Sequence, residues 1–67
     1  MSVARVTEIS ATSKTGFEDA AREGIKRASK TLRGIRSAWI KEQQARVEDG
    51  EIVEYQVNMM VTFVLDD

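Results

Sequence analysis

The chain has 67 residues, of which ten are basic and eleven acidic, giving a formal net charge of -1, and it contains neither histidine nor cysteine. Without cysteine it can form no disulfide or thiolate metal site, and without histidine it lacks the commonest general base and transition-metal ligand. The balanced charge argues against a strongly basic nucleic-acid-binding surface, and no apolar run approaches the roughly 20 residues of a membrane span. We therefore expect a soluble, cytoplasmic, non-catalytic protein of one domain, residues 1–67, with no nucleic acid and no membrane among its partners.

The N-terminal residues 3–10 predict a β-strand because they are rich in β-branched side chains. The strand pattern breaks at residues 11–13. Ser13 or Thr15 is the predicted N-cap of a helix, because a hydroxyl can accept a hydrogen bond from an unpaired backbone N–H of the first turn. With Thr15 as the cap, Glu18 would complete a capping box.

An amphipathic helix is predicted to follow, because apolar and small residues recur at three- and four-residue steps while charged residues fill the other side. The pattern predicts a helix of about 18 residues, roughly 27 Å long, that ends near Gly34. Gly24 lies within the apolar stripe, where glycine costs about 1 kcal/mol relative to alanine. A close contact of the helix is the expected reason for this glycine.

Residues 37–65 predict one long β-hairpin that turns at Asp49-Gly50. An Asp-Gly pair between two strand-like runs is the strongest short-range hairpin signal, because a tight primed turn needs two residues with positive φ. Side chains alternate between the two faces of a strand, so every second residue of the last strand belongs to one apolar row. We expect this row to form the core: Val53, Tyr55, Val57, Met59, Val61, Phe63 and Leu65.

The two-residue turn also predicts which side chains lie opposite each other. An unbroken register places three pairs on the face away from the core: Gln43 with Gln56, Lys41 with Asn58, and Trp39 with Met60. The apolar residues assigned to this face are Trp39, Met60, Val47, Ile52 and Val64. Hairpin arms of about 12 residues, roughly 40 Å long, would overhang the single helix. We therefore expect self-association to cover this face.

Trp39, the only tryptophan, allows two interpretations. It can belong to a subunit interface, where tryptophan is enriched. It can also be a stacking platform for a flat heteroaromatic ligand, with the Gln56 amide donating and accepting hydrogen bonds in the ligand plane. No nucleophile has a base partner and the sequence contains no glycine-rich phosphate loop, so binding is favoured over catalysis.

Three parts of the chain resemble the dodecin family: residues 7–13 (TEISATS), residues 27–33 (RASKTLR), and a hairpin that carries Tyr-Gln-Val at residues 55–57. The resemblance covers almost the whole chain and implies an α+β fold, in which the three-stranded antiparallel sheet of a β-α-β-β chain wraps around one helix. It also implies a hollow homododecamer that binds and stores flavins, FMN or riboflavin, without turnover. Some members that lack the stacking tryptophan of the family bind no flavin and are linked to cations, so a structural or ion-binding shell is the alternative.

In dodecins a tryptophan of the second strand stacks on the isoalloxazine, and a glutamine of the third strand bonds the ring edge. The resemblance assigns the glutamine to Gln56 and the stacking position to Ser37, whereas the tryptophan of this chain is Trp39, roughly 7 Å further along the strand. Glu42 matches a position that is often acidic in flavin-binding members, and Arg5 matches a basic position near the ligand. The predicted flavin site comprises Gln56, Ser37, Trp39, Glu42, Arg5 and Gln43.

Overall fold

The computed structural model describes residues 3–65. Three antiparallel strands form one sheet in the order β1-β3-β2, and one helix packs against one face of it. The elements are β1 (Ala4–Ser13), α1 (Phe17–Ala28), β2 (Ile35–Glu48) and β3 (Glu51–Val64). The predicted α+β fold with β-α-β-β order is confirmed. Because β3 is the central strand, the predicted core row from Val53 to Phe63 runs through the middle of the sheet. Leu65 follows the end of β3 and is 43% exposed, so its assignment to the core is wrong.

Strand β1 is longer than predicted, since residues 11–13 continue it instead of breaking it. These residues pair with β3 as far as Tyr55. Pairing with β3 gives the backbone of these residues hydrogen-bond partners and so keeps them in the strand. Their small and polar side chains alone do not form a strand pattern. As a result, the end of β1 carries small residues such as Ala11 into contact with the core.

The start of α1 is organised by Ser13, but not through the predicted capping box. Gly16 occupies the N-cap position, and within the described chain no side chain caps it. Ser13 Oγ accepts hydrogen bonds from the backbone N–H groups of Thr15 (2.9 Å) and Gly16 (3.4 Å), and it donates one to Asp19 Oδ2 (2.7 Å). Glu18 instead pairs with an arginine one turn later in the helix. The prediction of Thr15 as the cap with Glu18 as its partner is therefore wrong.

The helix ends at Ala28, after 12 residues, and not near Gly34 as predicted. After Ala28 the backbone tightens, because Lys30 and Thr31 donate to carbonyls three residues earlier, at 3.2 and 3.1 Å, and bonds of this kind are typical of the end of a helix. Gly34 then directs the chain into β2 with φ of 72°, a conformation that favours glycine. A helix of this length spans about 18 Å, so it covers less of the hairpin than the sequence predicts.

The predicted turn at Asp49-Gly50 is confirmed, because both residues have positive φ, 51° and 77°. The predicted register is correct at two places, where Glu48 pairs with Glu51 and Trp39 pairs with Met60. From Arg46 with Glu54 to Glu42 with Asn58 it is wrong by one residue. There the opposed pairs are Gln44 with Gln56 and Glu42 with Asn58, in place of Gln43 with Gln56 and Lys41 with Asn58.

Two β-bulges cause this shift and then cancel it. Strand β3 has one extra residue at Val53, and β2 has one at Lys41, so the strands leave the simple register and later return to it. A shift of one residue exchanges the two faces of a strand. Gln43 therefore moves to the face of its partner Val57. Val47 still pairs with Ile52 as predicted, but alternation along β2 places it on the same side as Gln43 and so away from the face predicted for it.

The core lies between α1 and the inner part of β3. Its buried members are Ala20, Val57, Met59 and Val61. Met59 packs under the helix while Met60, one residue later, belongs to the other face, as the period of two predicts. The close contact predicted for Gly24 is also present, because a Cβ there would lie 2.9 Å from the Ala11 Cβ.

The described chain is elongated, with extents of 51 × 19 × 13 Å and a radius of gyration of 13.8 Å. A compact domain of this length would have a radius of gyration of about 11 Å. The helix packs on β1 and β3, so the outer strand β2 and the end of the hairpin extend beyond it. Exposed apolar side chains remain in this part, among them Trp39, Ile40, Val47 and Ile52.

Candidate ligand-binding site

We call the side of the sheet that faces away from α1 the open face. It carries Gln56, Asn58 and Met60 of β3, together with the residues opposite them on β1 and β2. Trp39 lies opposite Met60 and is 74% exposed. The open face therefore contains an accessible indole next to a methionine, and polar side chains further along the same strands.

A line of hydrogen bonds crosses the open face from β1 to β2, and we call its members, Ser10, Gln56, Asn58 and Glu42, the amide strip. Gln56 Nε2 donates to Ser10 Oγ at 2.9 Å and to Asn58 Oδ1 at 3.3 Å. Asn58 Nδ2 donates to Glu42 Oε1 at 2.9 Å. A cavity of ≈ 340 Å³ adjoins the strip and is lined by Glu42, Gln43, Gln44, Gln56 and Asn58. Its size is within the range of small-ligand pockets.

Two ion pairs, one exposed and one partly exposed, border the strip. Lys41 Nζ lies 3.5 Å from Glu8 Oε2, and Arg46 Nη2 lies 3.7 Å from Glu54 Oε1. Solvent-exposed pairs of this kind contribute about 0–1 kcal/mol each to stability. In each pair the positive and negative charges neutralise each other. The charged side chain within the amide strip itself is Glu42.

The structure joins two of the predicted site residues, Gln56 and Glu42, through the strip. Within one chain it does not bring Trp39, or Ser37 at the stacking position of the family, close to these two residues. Trp39 pairs with a residue four positions along β3 from Gln56, roughly 13 Å away, and Ser37 pairs with a residue six positions away, roughly 20 Å. Ser37 and Trp39 do share the open face, as predicted from alternation. A ring stacked at either position is therefore separated from the Gln56 amide of the same chain.

The other two predicted residues lie differently. Arg5 pairs with Phe63 of the core row, so it belongs to the helix side of the sheet, near the end distant from Gln56. Gln43 pairs with Val57 and also belongs to that side, although it contributes to the wall of the cavity. Neither residue shares the open face with the amide strip.

A family model described as Dodecin matches residues 3–66. The chain belongs to the dodecin family. It is 36% identical over 63 residues to the calcium dodecin of Mycobacterium tuberculosis, a match that covers 94% of this chain and 89% of that relative. The solved dodecin from Streptomyces davaonensis has a TM-score of 0.93 at 41% identity, covering 98% of this chain and 97% of that one. A point mutant of the Thermus thermophilus dodecin has a TM-score of 0.94 at 33% identity, covering 100% of both chains.

In this dodecin, two members of the amide strip, Gln56 and Glu42, are among the predicted site residues, whereas Asn58 and Ser10 were not singled out from the sequence. The available signal was an amide side chain inside an otherwise apolar run, between Val57 and Met59. Within residues 3–65, no group of three acidic, histidine or cysteine side chains is arranged to hold a metal ion. No helix in that range is long and apolar enough to cross a membrane.

Proposed function

We propose that this dodecin binds a flavin, FMN or riboflavin, without turning it over, and stores or sequesters it in a hollow homododecamer. The observation that carries the proposal is Gln56, the glutamine of the Tyr-Gln-Val motif, held on an exposed face beside a cavity. Amide side chains can pair with the N–H and carbonyl groups at the edge of an isoalloxazine. Trp39 supplies an exposed aromatic surface on the same face, suited to stacking with a flat ring.

The separation of these groups implies that the site is shared between copies of the chain. A ring that contacts both Trp39 and Gln56 takes them from different subunits, because roughly 13 Å separates them within one subunit. The uncovered open face and the overhanging hairpin provide the surface for such contacts. Few residues are fully buried in the isolated chain, which also supports assembly.

Cation binding in a similar shell is a second candidate, and one comparison favours it. The Mycobacterium tuberculosis relative is named a calcium dodecin. Carboxylate and amide oxygens are ligands that Ca²⁺ prefers, and the strip contains Glu42 with the amides of Asn58 and Gln56. Ser37, at the stacking position of the family, offers no aromatic surface.

Titration with riboflavin and FMN, followed by quenching of flavin fluorescence, separates the two candidates. We expect quenching in the wild type and an affinity loss of about 1–3 kcal/mol in Gln56→Leu, the usual effect of leaving a polar partner unsatisfied. The control is Gln43→Leu, which removes an amide on the other face of the sheet. It tests whether the loss of any amide near the cavity weakens flavin binding as Gln56→Leu does. A protein that quenches neither flavin but binds Ca²⁺ in a calorimetric titration would replace the flavin proposal with the second candidate.

A further inference from the structure

Glu42 determines the direction of the hydrogen bonds in the amide strip. A carboxylate accepts hydrogen bonds and donates none, so the group of Asn58 that faces it is the NH₂ group, with Nδ2 2.9 Å from Glu42 Oε1. Asn58 Oδ1 is thereby directed toward Gln56 and accepts from Nε2 at 3.3 Å. The orientation of both amides is thus set from the β2 end of the strip.

Both hydrogens of Gln56 Nε2 are used within the chain as a consequence. One is donated to Asn58 Oδ1 and the other to Ser10 Oγ, at 3.3 and 2.9 Å. An amide nitrogen carries two hydrogens, so Nε2 has none to give to a ligand. The polar group that Gln56 can offer outward is Oε1, which accepts hydrogen bonds and donates none.

The reverse orientation of the Asn58 amide is disfavoured at its contacts with Glu42 and with Gln56. Turning Asn58 by half a rotation would place its oxygen against the carboxylate of Glu42, and the Gln56 amide would then face an NH₂ group in place of an oxygen. The terminal torsion of a free glutamine is broad, whereas a hydrogen bond to an ionised acceptor is about twice as strong as one between neutral groups. The strip therefore orients an amide that would otherwise rotate.

We propose that Asn58, held by Glu42, is a positioning residue that turns the Gln56 amide so that only its oxygen meets the ligand. The site then selects flat heterocycles that present an N–H donor at their edge, such as the imide N–H of a flavin. This inference rests on the proposed flavin site and specifies the direction of one hydrogen bond in it. The ligand donates this bond to Gln56 and does not accept one from it.

One measurement tests the orientation without any ligand. In a ¹⁵N–¹H spectrum of the selectively labelled protein, both Gln56 side-chain protons should show the shifts and slow solvent exchange of hydrogen-bonded groups. In Asn58→Leu, which keeps the branched shape of the side chain but cannot form hydrogen bonds, one of the two should return to the values of a solvated amide. Two solvated protons in the wild type, or no change in Asn58→Leu, would overturn the inference.

A second measurement compares riboflavin with its N3-methyl derivative, which cannot donate at the imide. The wild type should bind the methylated flavin more weakly, by at least about 2- to 10-fold, the loss of one hydrogen bond. In Asn58→Leu the Gln56 amide can turn and donate to a ring carbonyl, so the ratio of the two affinities should shrink, whereas a purely steric effect of the methyl group would leave it unchanged. Equal wild-type affinities, or an unchanged ratio in the variant, would refute the inference while the flavin proposal stands. If neither flavin binds, the flavin proposal fails, and the proton spectrum alone decides whether Asn58 orients Gln56.

Discussion

Replacing Gly24 with alanine tests how closely the helix is held against the sheet. A Cβ at this position would lie 2.9 Å from the Ala11 Cβ and 2.8 Å from the Met59 Cε, whereas carbon atoms in contact are separated by about 3.5–4.0 Å. The flexible end of Met59 can move aside. Ala11 cannot, because it is paired with Val57 in the ladder between β1 and β3. The helix must therefore move outward by roughly 0.5 Å or more.

Overpacking of this kind costs about 1–3 kcal/mol, while alanine gains about 1 kcal/mol in helix propensity over glycine. We expect Gly24→Ala to lower the free energy of unfolding by about 1 kcal/mol, which for a chain of this size lowers Tm by roughly 4–8 °C. Thermal unfolding followed by circular dichroism measures the change. The protomer concentration must be kept equal for all variants, because the stability of an assembly depends on it.

Gly16→Ala is the matched control, since within the described chain no atom lies within 4 Å of a Cβ at Gly16 and its backbone is extended. Its effect should reflect only the weaker preference for alanine at an N-cap, and it should be additive with Ala11→Gly. Adding Ala11→Gly to Gly24→Ala should recover part of the loss, with a coupling energy of about 0.5–3 kcal/mol. A stabilising effect of Gly24→Ala alone, or strict additivity with Ala11→Gly, would refute the reasoning.

The remaining predictions concern the assembly, Trp39, and Ser37 at the stacking position of the family. Light scattering should give a mass near 90 kDa, about twelve copies of the 7.5 kDa chain, and a monodisperse monomer would contradict the role given to the open face. Trp39→Ala should weaken flavin quenching, because it removes the stacking surface, and should lower the assembled fraction in dilute size-exclusion runs, because it removes apolar area from a subunit contact. An intact dodecamer with unchanged quenching would contradict both roles of the indole. Ser37→Trp should strengthen flavin binding about tenfold, since a stacked aromatic pair contributes about 0.5–1.5 kcal/mol beyond its area, and an unchanged titration would exclude position 37 from the site.

Features that depend on neighbouring residues were predictable from the sequence. The Asp49-Gly50 turn requires only two residues that accept positive φ, and alternation alone assigns Met59 and Met60 to opposite faces. The end of the helix was not predictable in this way. Apolar spacing continues to Leu32, but after Ala28 the backbone changes to hydrogen bonds between residues three apart and the helix stops.

The bulges and the amide strip depend on contacts between distant parts of the chain. Val53 and Lys41 are ordinary strand residues with no glycine beside them to indicate a bulge, and their two shifts cancel before Trp39. The motif identified Gln56, but its partner Ser10 is 46 residues earlier in the sequence. Their contact exists only once β1 has paired with β3, so no local pattern could have predicted it.

The two bulges also determine where this hairpin can change in length. If Val53 were deleted, the pairs on either side of it would become consecutive, and the same is true of Lys41 in β2. A one-residue deletion at either position would change the local bend of the hairpin but keep the same residues on the open face. A deletion between them, for example at Ala45, would exchange the two faces for part of a strand. Homologues that lack one residue here should therefore be aligned with the gap at a bulge, so that equivalent side chains remain on the same face.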